Sequence, residues 1–95
     1  MAKFQVAHLR EQGQDIIIVV VDRSFGYKSS TEQNQVYAGI QPCATSAGLA
    51  GTVVPVWDNG GGRMAFLAPR QWAPFFQSMT LADVAANINR ELTCG

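Results

Sequence analysis

The sequence predicts an α+β fold of order ββαββα, a four-stranded, largely antiparallel sheet with two helices packed on one face. Three observations carry this. Residues 16–21 read Ile-Ile-Ile-Val-Val-Val between Asp15 and Asp22, and such a β-branched run makes a poor helix and a good strand. The run does not alternate with polar residues, so both faces of its strand are expected to be buried. Two later segments repeat apolar residues at helical spacing, and two others flank a glycine-rich turn as a hairpin would.

The first strand spans about Lys3–Leu9, where Phe4 and Val6 alternate with Lys3 and Gln5. Glu11-Gln12-Gly13-Gln14 is polar, contains a glycine and reads as a hairpin turn into the Ile16–Val21 strand. Asp22–Lys28 is expected to be a loop. Ser30 with Gln33 three residues on has the form of a capping box, with Glu32 in the favoured first turn.

The helix that follows carries Val36, Ile40, Cys43, Ala44 and Ala47 on one stripe. Pro42 interrupts its hydrogen bonding and is expected to kink it. Pro42 lies about 200° around from Ile40, at about 100° per residue, so it faces solvent and the stripe continues past it. Gly48 fits a left-handed cap.

Thr52–Trp57 and Arg63–Ala68 are the third and fourth strands, joined by Asp58-Asn59-Gly60-Gly61-Gly62. Pro69–Met79 is irregular and aromatic. Thr80 with Asp83 caps a last helix that carries Leu81, Val84, Ala85, Ile88 and Leu92. Proline is rarely found in a central strand. Pro55 therefore places the third strand at an edge, giving order 1-2-4-3 with the first strand outermost on the other side.

Ninety-five residues form a single globular domain, residues 1–95, large enough for one core. Charged residues make up 15% and the formal net charge is zero, which protects poorly against self-association. The balance gives no basic excess for nucleic acid or an anionic membrane. Cys43 and Cys94 are expected to be free thiols of a cytoplasmic protein. The start of the chain has no apolar signal core, and no apolar run approaches the roughly 20 residues of a membrane span.

No catalytic residue, cofactor or metal site is expected. Gly60-Gly61-Gly62 lacks the spacing of a phosphate-binding loop, and His8, the only histidine, has no metal-ligand partner nearby in sequence. The strongest ligand-binding candidate is one sheet edge. It gathers Asp22, Arg23, Tyr27, Lys28, Ser29 and Ser30 from the loop before the first helix, and Trp57, Asp58 and Arg63 from the later hairpin. A helix N-terminus, an aromatic platform and paired charges there suit a small polar or anionic ligand. Trp72, Phe75 and Phe76 are candidates for a pocket wall or a partner surface.

With both helices on one face, the other is left apolar and open except where Pro69–Met79 shields it. A homodimer through that face is the expected partner. The leading expectation is a non-catalytic interaction or binding module acting as a homodimer. The alternative is a small polar-ligand-binding protein or enzyme using the Asp22–Ser30 and Trp57–Arg63 edge.

Overall fold

The computed structural model describes residues 2–11 and 13–94. Gln12, which the sequence reading places in the hairpin turn, lies outside them, as do Met1 and Gly95. The fold is α+β. A five-stranded sheet has order β4-β3-β2-β1-β5, built from β1 (Ala2–Glu11), β2 (Gln14–Val20), β3 (Thr52–Asp58), β4 (Met64–Phe66) and β5 (Arg90–Cys94). The helices are α1 (Ser30–Ser46), α2 (Ala73–Gln77) and α3 (Leu81–Ala86).

The Ile16–Val20 stretch lies in a central strand with apolar neighbours on both faces. Ile17, Val19, Val53 and Leu92 pack under α1 with Ile40 and Ala44. Ile16, Ile18, Val54 and Val56 pack on the opposite side with Phe76 of α2 and Val84 of α3. The helices therefore cover both faces, not one. The face expected to be open, and with it the case for a dimer through that face, is closed by α2, α3 and the residues around them.

The sheet is mixed rather than antiparallel throughout. β2 and β3 are parallel neighbours, Ile16 opposite Thr52 and Val20 opposite Val56, linked through α1. This corrects the order 1-2-4-3 and the edge position of Pro55. Pro55 is tolerated inside the sheet because its missing N–H falls where the ladder is thin. The register that pairs Val56 with Phe66 sets Pro55 opposite Leu67, beyond the end of β4. Leu67 N–H donates to Pro55 O at 3.0 Å, so the pair is held by one bond where two are usual. Val53 N–H donates to Gln41 Oε1 of α1 at 2.9 Å, a side chain standing in for a neighbouring strand.

The last helix is shorter than its apolar repeat suggests. Thr80 and Asp83 form the capping box, but α3 ends at Ala86, and Leu92 belongs to β5. β5 pairs antiparallel with β1, Leu92 opposite Phe4, so β1 is internal rather than outermost. Asn89 extends that pairing. Its side chain accepts from His8 N–H at 2.9 Å and donates to His8 O at 3.0 Å.

Cys43 and Cys94 form a disulfide, with Cα atoms 5.8 Å apart, which corrects the free-thiol expectation. The bridge becomes possible because residues 90–94 form a strand beside β1 rather than a helix, and this brings Cys94 to α1. α1 itself runs unbroken through the exposed Pro42. Gly48 follows its end with φ +83°, as a left-handed cap requires.

Candidate functional site

The parallel pairing of β2 and β3 brings their C-terminal ends to one edge, so the two arcs of the predicted ligand site do meet. A 3₁₀ turn, Arg23–Tyr27, leaves β2 and lays Phe25 edge-on to Trp57, ring centroids 4.7 Å apart. Most of the gathered groups are engaged in building the edge. Asp22 Oδ1 accepts from Ser24 N–H at 2.8 Å, and that bond holds its carboxyl below the ordinary carboxylate range.

Ser29, not Ser30, caps α1. Ser29 Oγ accepts from Glu32 N–H, and Glu32 Oε1 accepts from Ser29 N–H, both at 3.2 Å. The bond from Ser29 N–H lowers the Glu32 pKa. Ser30 is the first residue of the helix and is exposed.

Trp57 is 7% exposed and serves as core rather than platform. Asp58 Oδ1 accepts from Gly60 N–H at 2.8 Å and shapes the turn, in which Gly60, Gly61 and Gly62 all have positive φ. Arg63 closes that turn through its carbonyl, which accepts from Asn59 N–H at 2.7 Å. Arg23 and Lys28 are exposed, and Tyr27 is 85% exposed. What remains is a dimple of about 150 Å³ where Asp22, Ser24 and Lys28 rim Phe4, Val21, Phe25 and Val36.

A larger cleft opens at the other end of β2, and strand geometry explains its mixed chemistry. Side chains two apart share a sheet face. Ala7 and Leu9 of β1 and Ile18 and Ile16 of β2 therefore form an apolar column that belongs to the core under α2 and α3. Glu11 opposite Gln14 is the next rung of that column, and it is polar. Trp72, from a 3₁₀ turn over Arg70–Trp72, and Phe75 of α2 stand beside Ile16.

The cleft between them measures about 360 Å³, within the roughly 300–1,000 Å³ of small-molecule pockets. Glu11, Gln14 and Gln71 form its polar side and Ile16, Trp72, Pro74 and Phe75 its apolar side. Phe76 takes no part. It is 1% exposed and packs on Phe66, centroids 5.4 Å apart, with Phe75 edge-on at 5.1 Å. Of the aromatic candidates, Trp72 and Phe75 line a pocket, and Phe76 anchors the helix that carries them.

Glu11, Gln14 and Gln71 were not singled out by sequence reasoning. The available signal was the hairpin register, which aligns Glu11 with Gln14 at the polar end of two apolar columns. His8 is engaged elsewhere, its Nε2 2.9 Å from Ala50 O. Among the described residues no three His, Cys, Asp or Glu side chains gather as a metal site, and no helix is long and apolar enough to cross a membrane.

No protein-family model, curated protein or solved structure matches the chain significantly.

Proposed function

We propose that this protein is a non-catalytic binding module that takes a small ligand in the cleft beside Trp72. The observation that carries the reading is the pairing of an aromatic wall with a polar rung. Trp72 and Phe75 offer stacking surface, and Gln14, Gln71 and Glu11 offer hydrogen-bonding groups across from it. Apolar walls with a few convergent polar groups are what small-molecule sites use to bind and to orient. The Asp22–Arg63 edge is the weaker candidate, because Asp22 and Asp58 hold backbone N–H groups and Trp57 is enclosed.

The test is ligand-observed NMR screening of a fragment collection against the wild type, Trp72→Ala and Gln14→Lys. Hits lost in both variants, with the fold intact by circular dichroism, support the cleft. Hits retained in both, or lost only in Lys28→Glu and Arg63→Glu, return the site to the other edge.

The homodimer enters as a second reading on narrower ground than an open sheet face. Among the described residues β5 is the last strand on its side of the sheet, so one edge of its backbone lacks a strand neighbour there. Two-fold pairing along such an edge extends a sheet. Sedimentation of a monomer at micromolar concentration removes this reading and leaves the cleft untouched. The Cys43–Cys94 bridge favours an oxidising compartment over the cytoplasm as the place where the module works.

A further inference from the structure

We infer that the cleft beside Trp72 takes an organic cation, an ammonium or guanidinium group on a short apolar stem. The inference rests on reading that cleft as the binding site. Among the described residues lining it, Glu11 alone is charged. The amides of Gln14 and Gln71 are neutral and bring carbonyl oxygens that accept from N–H donors. Trp72 and Phe75 add ring faces, which attract cations through their negative quadrupoles. Ile16 and Pro74 supply apolar surface for a stem.

Arg70 precedes Gln71 in the same 3₁₀ turn but is exposed and not among the lining residues. Lys28 and Arg63 lie at the C-terminal edge of β2 and β3, whereas Glu11 and Gln14 lie at the N-terminal end of β2. Arg10 neighbours Glu11 in sequence, but strand alternation assigns it to the opposite face, across from Asp15. An anion entering the cleft meets a carboxylate and no lining cation, and a neutral ligand gains nothing from that charge. An ammonium or guanidinium group satisfies both the carboxylate and the rings.

The experiment is a titration of the full, disulfide-bonded chain at low ionic strength, followed by tryptophan fluorescence, with Trp72→Phe separating the Trp72 response from that of Trp57. The probes are Nα-acetyl-lysine N-methylamide, Nα-acetyl-arginine N-methylamide, their neutral norleucine counterpart, their acidic glutamate counterpart, and spermidine. The two cationic amides are expected to bind about tenfold or more tighter than the norleucine compound, as a charge-assisted contact and a cation–ring contact require. Spermidine binding better than either amide assigns the cation to free polyamines, and the reverse assigns it to peptide side chains.

Glu11→Gln, an isosteric change at an exposed position, is expected to cut the preference for the cationic amides over the norleucine compound severalfold. Equal binding of the neutral or acidic compound, or an unaltered preference in Glu11→Gln, overturns the inference while the cleft stands. A Trp72 signal that answers other fragments but none of the cations does the same. A Trp72 signal silent to every fragment overturns the inference together with the binding reading beneath it.

Discussion

Gly26 lies over the indole of Trp57 so closely that a Cβ at position 26 would sit 2.6 Å from Nε1. That nitrogen is buried and has no hydrogen-bond partner among the described residues. The contact closes the sheet edge where β2 and β3 end, and it turns the tryptophan from a ligand platform into a wedge of core. Gly26→Ala is expected to cost about 1–3 kcal/mol through overpacking, read as a lower urea midpoint with altered near-ultraviolet dichroism. Gly39→Ala, in α1 with open space around it, is expected to raise stability by about 0.5–1 kcal/mol.

Asn89 holds both backbone groups of His8. Asn89→Ala is expected to cost about 1–2 kcal/mol, because two hydrogen bonds of modest net strength go together. Urea denaturation measures the loss. Hydrogen exchange is expected to place it at His8 first, since Val6 also accepts from the backbone N–H of residue 89, at 3.0 Å.

The Cys43–Cys94 bridge spans 51 residues, for which the chain-entropy relation gives about 4 kcal/mol. Reduction, or the pair Cys43→Ser and Cys94→Ser, is expected to lower the denaturation midpoint by an amount equivalent to about 2–4 kcal/mol. Thiol titration of the unfolded, unreduced chain is expected to find no free thiol. Two titrating thiols contradict the bridge.

Asp22 and Glu32 both have pKa values lowered by backbone N–H groups, those of Ser24 and Ser29. In the unfolded chain these carboxyls take up protons at higher pH than in the fold. Their stabilisation is therefore fully present above the ordinary carboxylate range and is lost as pH falls through the lowered folded values. Glu32→Gln preserves the capping-box geometry and removes the charge. It is expected to lower the neutral plateau of melting temperature against pH and leave the acid end little changed, so that the acid limb flattens. An acid limb as steep as that of the wild type contradicts the assignment.

The first four strands and the first helix are legible in the sequence because their signals are local. Ile16–Val20 carries its own strand preference, and Gly48 marks the end of α1. The errors arose where a distant partner decided the outcome. Pro55 reads as an edge residue by its own chemistry, but a three-residue β4 and Gln41 of α1 make an internal place affordable. Leu92 suits a helical repeat as well as a strand, and pairing with Phe4 together with the Cys43 bridge selects the strand. Trp57 reads as an aromatic at a strand end, but its burial comes from Phe25 and Gly26 of the turn that follows β2. The cleft was half legible: Trp72 and Phe75 stood out as aromatics, whereas Glu11 and Gln14 acquire meaning only from the register.

The central claim is that recognition happens beside Trp72, and the two indole N–H signals of this chain give the direct test. A two-dimensional amide NMR titration with the tightest cationic probe follows both at once. The account predicts movement of the Trp72 indole signal and of the Glu11, Gln14 and Gln71 backbone signals, with the Trp57 indole unmoved beneath Gly26. Movement confined to Asp22, Tyr27, Lys28 and the Trp57 indole, with Trp72 still, would contradict it.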